Sequence, residues 1–341
     1  MGNVDQSMDG ARPVDVTIYD VAKRAGVSIT TVSRVLNQPE RVNPETRARV
    51  YQAIEVLGFV PRAEAVARAR THVGRIGVLS PFFTFPSFAQ RLRAMANTLS
   101  ESNFELVIYN VNSASNLESY LNTLPILRRL DGIVLLSLNV DNSAIERLRQ
   151  NGMEIVLLDC WHPQVSSITI DDEAGGRLVA EHLLRQGRRR LAVLGDANVP
   201  SYTTNASAAR MRGFQSVLAA AGMPPAYHAL SPHGISNAVA EAHELLSQHP
   251  RPDAIFATSD QQAMGVLKAA RERQLLIPED IAVIGFDDLD MSDVIGLTTV
   301  RQPLEESGKL AIELLLNQIN EPGRPPRQIR FPLEIISRET G

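Results

Sequence analysis

Four polar residues stand where a strand-rich chain would present them to a ligand: Asp159, Arg210, Asp260 and Gln302. Asp159 ends one apolar run, Asp260 follows another, Arg210 opens a helix-forming stretch, and Gln302 comes just after the 297–300 run. Carboxylates and an arginine fork of this kind hydrogen-bond neighbouring hydroxyls, while an aromatic ring covers the apolar face of a sugar. Aromatics are scarce, 5% of the chain, yet Phe82, Phe83, Phe85 and Phe88 crowd one turn, and Trp161 stands two places after Asp159. The same residues also have plain structural uses: Asp260 as a helix cap, Arg210 in a surface ion pair, the phenylalanines as packing for a helix. Patterns of catalysis are missing, with no Gly-x-Ser-x-Gly elbow, no Gly-rich phosphate loop ahead of Lys-Ser/Thr and no paired histidine ligands. The seven histidines are scattered, and the lone Cys160 has no internal disulfide partner. A small-molecule binding protein without metal or cofactor, and not an enzyme, is the expectation.

Such residues need a frame. From Arg75 onward apolar strand-like runs (76–80, 104–110, 132–138, 154–159, 191–195, 254–258, 281–286) alternate with amphipathic stretches such as 174–186, 208–221, 261–273 and 305–319. Repeated β-α units imply parallel sheets covered by helices on both faces. So many strands suit two doubly wound sheets better than one, with the ligand cleft between them at the strands' C-terminal ends. Ahead of this α/β body lies a different texture. Thr17 and Asp20 form a capping-box pattern for a helix that stops at Gly26; Ser28 can cap a second helix with an apolar face of Val32, Val35 and Leu36; Asn43-Pro44 opens a third that ends at Gly58. Two short helices joined by a tight turn and braced by a third describe a helix-turn-helix module.

Charge supports a division of labour. The whole chain is −4, but residues 11–75 hold eleven basic against six acidic residues, a net +5, and residues 76–341 carry −7. A basic head on an acidic body points to nucleic acid as the partner of the head alone. No apolar run reaches the ~18–20 residues of a membrane span, and the polar N-terminus lacks a signal-peptide core, so a cytoplasmic location without membrane contact is expected.

The string from Thr17-Ile-Tyr-Asp-Val-Ala-Lys-Arg-Ala-Gly-Val-Ser28 through Ile29-Thr-Thr-Val-Ser-Arg-Val-Leu-Asn37 resembles the headpiece signature of the lactose/galactose repressor family of bacterial transcription regulators. Downstream, Ile170-Asp-Asp-Glu-Ala-Gly-Gly176, Arg210-Met-Arg-Gly-Phe214, Thr258-Ser-Asp-Gln-Gln-Ala-Met-Gly265, Val283-Ile-Gly-Phe-Asp-Asp288 and Leu297-Thr-Thr-Val-Arg-Gln-Pro303 follow in the family's order. The resemblance implies a body like periplasmic binding proteins, and a division into a tail (1–15, disordered), a head (16–60), a hinge linker (61–74) and an effector-binding and dimerisation domain (75–341). Within the last, one subdomain would take 75–160 and 291–321, the other 161–290 and 322–341.

The resemblance also assigns roles. Ile29, Thr30 and Arg34 would read base edges in the major groove, Arg34 through a guanine-matching fork and Ile29 through a thymine methyl. Thr17, Tyr19, Ser28, Thr31, Ser33 and Asn37 would contact phosphates, and Arg62 and Arg68 would meet DNA from the linker. Arg68 stands where the family inserts a leucine into the minor groove, which implies weaker operator bending or an A·T-rich operator centre. A circular-permutation gel showing a sharp kink at a G·C-rich centre would contradict this. In the body, Phe82, Phe85, Phe88, Asp159, Trp161, Arg210, Asp260 and Gln302 would touch the effector. Departures there are Phe85-Pro-Ser-Phe88 for Asn-Pro-Phe-Phe, Asp172 for a usual Asn and Cys160 for a usual Arg, pointing to a ligand with fewer anionic groups or a different shape. The function implied is a homodimeric repressor of a carbohydrate operon, binding a pseudo-palindromic operator in double-stranded DNA and controlled by a sugar-like effector. The alternatives are a corepressor-dependent regulator sensing a nucleoside, nucleobase or sugar phosphate, a transport-type sugar-binding protein, and a sugar-modifying enzyme.

Overall fold

A computed structural model describes residues 16–37, 39–59, 74–127 and 129–341. The expected tail and nearly all of the linker, with Arg62 and Arg68, lie outside the described residues.

The head consists of α1 (Ile18–Ala25), α2 (Ile29–Asn37) and α3 (Pro44–Leu57), with a short 3-10 turn at Pro39–Arg41 that the sequence pattern does not announce. Local chemistry sets each boundary. The Asp20 carboxylate reaches back to accept the Thr17 N–H at 2.8 Å and its hydroxyl at 2.6 Å. Gly26 and Gly58 close α1 and α3 at φ of 65° and 59°, the left-handed region where a Cβ would be strained. Ser28 Oγ accepts the Thr31 N–H at 3.1 Å, and Asn43 Oδ1 that of Glu45 at 2.8 Å, with Pro44 at the first helical position. Val21, Ala25, Val32, Val35, Val50 and Ile54 bury against one another and hold the three helices in place.

The body has two six-stranded sheets. The first has β1 (Gly74–Ser80), β2 (Phe104–Asn110), β3 (Gly132–Leu136), β4 (Glu154–Leu158), β5 (Ser166–Thr169) and β11 (Gln328–Arg330), in the order β11-β5-β4-β3-β1-β2, all parallel. The second has β6 (Leu191–Asp196), β7 (Tyr227–Ser231), β8 (Ala254–Ala257), β9 (Ala282–Asp287), β10 (Thr298–Arg301) and β12 (Glu334–Ile336), in the order β12-β10-β9-β8-β6-β7, with only β12 antiparallel. Between them in sequence run α4 (Pro86–Leu99), α5 (Ala114–Leu127), α6 (Asn142–Gln150), α7 (Asp172–Arg185), α8 (Ala206–Ala220), α9 (Ile235–Leu246), α10 (Asp260–Glu272), α11 (Asp290–Val294) and α12 (Leu304–Asn320).

The period of two along each strand explains why helices cover both faces. Leu191, Val193, Ala254 and Phe256 turn one way, against Val179, Leu183 and Phe214 of α7 and α8. Ala192, Leu194, Ile255 and Ala257 turn the other way, against Ala238, Ala242 and Val266 of α9 and α10.

Strand pairing corrects the expected subdomain boundaries. β5 pairs with β4 and so belongs to the first sheet, although residues from 161 on were assigned to the second half. β10 belongs to the second sheet, although 291–321 were assigned to the first, and only α12 from that stretch packs on β3 and β4. The two last strands divide, β11 joining one sheet and β12 the other. Pro332 stands between them and has no N–H with which to continue a ladder. The chain therefore passes between the two halves three times, after β5, after β10 and after β11. Among the described residues no helix is long and apolar enough to cross a membrane.

Candidate functional site

On the head, α2 presents a continuous outward face. Ile29 is 39% exposed, Tyr19 of α1 is 67% exposed, and Thr30 and Arg34 are exposed as well. Val32 and Val35 on the opposite face are fully buried, so Ile29 is not needed for the head's core. Ser28 and Thr31 share a hydroxyl contact of 2.8 Å beside Ile29, and Ser33 is half-buried. Thr17 has its hydroxyl committed to Asp20, and Asn37 is the last residue of α2. A helix whose first turn offers an apolar branch, two hydroxyls and an arginine one turn later has the means to read a major groove.

In the body, a cleft opens at the C-terminal ends of β1, β3, β4, β6, β8 and β9, where parallel sheets take small ligands. Of the residues singled out from sequence, Phe82, Phe85, Phe88, Asp159, Arg210 and Gln302 line it. Phe82 and Phe85 stack at 5.0 Å at the lip and meet His233 at 5.2 and 4.8 Å. Phe88 stands edge-on to Phe82 at 5.8 Å and packs on the first sheet's core, as Phe83 does.

Two of the residues expected at the effector stand apart from the cleft lining. Asp260 does not line the cleft; it is wholly buried, and its carboxylate accepts the Leu289 N–H at 2.8 Å, the Ser292 hydroxyl at 2.6 Å and the Thr299 hydroxyl. It braces the β9–β10 region, and Gly285 leaves room for it, since a Cβ there would stand 2.2 Å from its Oδ1. Trp161 is 62% exposed and is not among the cleft-lining residues.

What sequence reasoning missed is the partner of Asp159. Arg91 of α4, 4% exposed, grips that carboxylate through both Nη atoms at 2.7 and 3.0 Å and donates to Gln302 Oε1 at 3.0 Å and Ser307 Oγ at 3.3 Å. A signal was available, because Phe88, Arg91, Leu92, Met95 and Leu99 follow the i, i+3, i+4, i+7 stripe of a buried helix face. Ser137 Oγ also donates to Asp159, at 2.6 Å. From Gln302 the network continues to Asp287, whose carboxylate accepts the Gln302 amide. On that side Arg210 donates from Nε to Asp172 at 2.8 Å and from Nη1 to the Thr258 carbonyl at 2.7 Å, lies 3.7 Å from Asp287 and covers the Phe286 ring at 3.6 Å. A continuous chain of charge-assisted bonds thus runs across the cleft floor.

Backbone and burial tune this floor. Ser137, Asp159 and Asp287, each at the end of a strand, have φ of 53°, 65° and 130°, left-handed conformations that cost energy for residues with a Cβ. The turn at Ser137 ends β3 earlier than the apolar run to Leu138 suggests. Burial raises the carboxyls of Asp172 and Asp196 above the usual range, and burial pushes Asp287 up to about 7 against the pull of Arg210. Burial also pushes the Cys160 thiol up to about 12, leaving it protonated. Among the described residues no group of three or more His, Cys, Asp or Glu could hold a metal.

Comparison with known proteins bears on both sites. The family model "Bacterial regulatory proteins, lacI family" matches residues 17–62, and "Periplasmic binding protein-like domain" matches residues 180–340. The ribose operon repressor of Halalkalibacterium halodurans is 33% identical over 95% of this chain and 96% of its own length. The repressor PurR of Edwardsiella ictaluri is 32% identical over 95% of this chain and 96% of its length, and catabolite control protein A of Priestia megaterium is 29% identical over 96% and 99%. Among solved structures, the regulator CelR in complex with cellobiose covers 97% of this chain and 100% of its own at 30% identity and a TM-score of 0.68. A ribose-bound regulator from Enterococcus faecium covers 78% of this chain and 98% of its own at 29% identity, also with a TM-score of 0.68. With these similarities spanning head and body together, the chain belongs to the lacI family of bacterial regulatory proteins.

Proposed function

We propose that this protein is a homodimeric transcriptional repressor whose head reads a pseudo-palindromic operator and whose body binds a neutral or cationic sugar-like effector. The observation that carries the effector reading is the floor network Asp159–Arg91–Gln302–Asp287, with Arg210 beside it, under the stacked Phe82 and Phe85. Donors and acceptors alternate along it, as vicinal hydroxyls require, and the rings suit an apolar sugar face. Relatives named for ribose operons and solved relatives holding ribose or cellobiose support the same class. Ile29, Thr30 and Arg34 are the proposed base readers, and the hydroxyls of Ser28 and Thr31 with Tyr19 the proposed phosphate contacts.

Control follows from the three strand crossings. They allow the halves to close on a ligand, and on the side of the mouth the two are stitched by Asn139 N–H to the Tyr202 carbonyl at 2.9 Å and Thr204 N–H to the Ser137 carbonyl at 3.1 Å. An effector that prefers one closure shifts that equilibrium and, through the dimer, the separation of the paired heads. The test is a thermal-shift screen of sugars and nucleosides, followed by operator binding with and without each hit. A sugar that raises the melting temperature and changes operator affinity is the expected result. Hits confined to nucleosides would replace the effector class, and operator binding indifferent to every hit would remove the allosteric reading.

A further inference from the structure

The two walls of the cleft differ in charge balance. On the wall from the first sheet, Arg91 holds Asp159 with both Nη atoms, so one cation cancels one anion. On the wall from the second sheet, three carboxylates face the ligand space: Asp172, Asp196 and Asp287. They share one guanidinium, Arg210, which lies 2.8 Å from Asp172 and 3.7 Å from Asp287. Asp196 is held by the Gln262 amide at 2.8 Å and faces the His233 imidazole at 3.7 Å, a group that is charged only when protonated. Below them Asp260 is held by two hydroxyls and one N–H, none of which neutralises it. This wall therefore sets three cleft-facing carboxylates against one guanidinium, so its acids outnumber its permanent cations. Phe82 and Phe85 sit against His233 at its rim and add π faces, which favour a cation over an anion.

Resting on the reading of this cleft as a sugar-like effector site, we infer that the effector carries a positive charge: an amine-bearing sugar or polyol whose ammonium lies against Asp196 and Asp287 while its hydroxyls meet the Arg91–Asp159 pair. A neutral polyol satisfies the oxygens and leaves the excess charge. An anionic sugar meets two guanidiniums already engaged by carboxylates and a wall of its own sign. Burial raises the carboxyls of Asp172, Asp196 and Asp287, and an ammonium set against them would favour their ionised forms.

The experiment is calorimetric titration at neutral pH with three matched series: pentoses, hexoses and their disaccharides; the corresponding amino sugars; and the corresponding sugar phosphates. At least one amino sugar is expected to bind about tenfold or more tighter than its neutral parent, the weight of one charged hydrogen bond, with its phosphate counterpart weakest. That preference is expected to collapse in Asp196→Asn and, separately, in Asp287→Asn, and to shrink as pH falls through about 7, where Asp287 takes up its proton. A neutral sugar or a sugar phosphate that binds as tightly as the amine overturns the inference and leaves the sugar-effector reading standing. If no member of any series binds, the sugar-effector reading falls and this inference falls with it.

Discussion

Arg210 and the carboxylates around it can be tested one side chain at a time. Arg210 is 7% exposed, and its removal leaves Asp172 and Asp287 buried without their cation. Breaking a buried pair from one side costs about 3–5 kcal/mol, so Arg210→Ala should lower the melting temperature clearly as well as abolish effector binding. Asp287 gives a pH signature. Its folded carboxyl titrates at about 7, above the unfolded value, so the fold holds that proton more tightly than the unfolded chain does. Its contribution to stability is complete below about pH 4 and is lost as pH rises through about 7. Asp287→Asn should therefore flatten the decline in melting temperature between about pH 4 and about pH 7 in the ligand-free protein, and an unchanged decline would assign it to other groups. Asp260 shows why sequence could not separate the two aspartates. Both follow strands, and only the neighbours decide that one carboxylate meets Ser292 and Thr299 while the other faces the cleft.

Among the elements, the α7–α8 crossing places Arg210. Gly176 and Gly213 let the two backbones touch: a Cβ on Gly176 would lie 1.9 Å from the Arg210 carbonyl, and one on Gly213 1.9 Å from the Glu173 carbonyl. The obstacle in each case is backbone, which cannot rotate aside. Gly213→Ala should push α8 off α7 at a cost of about 1–3 kcal/mol or more, seen in chemical denaturation. It should also weaken effector binding, because Asp172 and Arg210 sit on the two helices that would part. The glycines of Asp171-Asp-Glu-Ala-Gly-Gly176 and Arg210-Met-Arg-Gly-Phe214 were visible as motifs, but their reason is a helix contact with no trace in either segment alone. In the head the reverse holds. Ser28, Asn43, Gly26 and Gly58 act on their own helices, so the boundaries of α1 and α3 were legible directly. Ser28→Ala should cost the head about 1 kcal/mol, measured by its melting.

For the whole molecule, the charge division becomes a statement about DNA binding. Residues 11–75, head and linker together, carry +5 against −7 for residues 76–341, which concentrates phosphate contacts on the head and linker. Operator affinity should fall steeply with salt, as a straight line of log affinity against log salt. Arg34→Ala should relax base preference at one position of each half-site by about 1–3 kcal/mol with little change in that slope, whereas loss of a phosphate contact would lower the slope. Binding curves on operators with one and two half-sites measure both effects. A single half-site bound as tightly as the pair would remove the dimeric reading.

By itself the sequence determined the class of elements, the helix boundaries of the head and the existence of a two-sheet body, because capping residues, glycines and the two periodicities act within a few residues of themselves. It also brought six of the cleft's lining residues into view. The strand crossings, the pairing of Arg91 with Asp159, the burial of Asp260 and the unequal charge of the two walls were decided only by the tertiary structure. Each depends on which segments meet across long stretches of chain. A charge becomes a partner, a brace or an unpaired excess only through what the fold sets beside it.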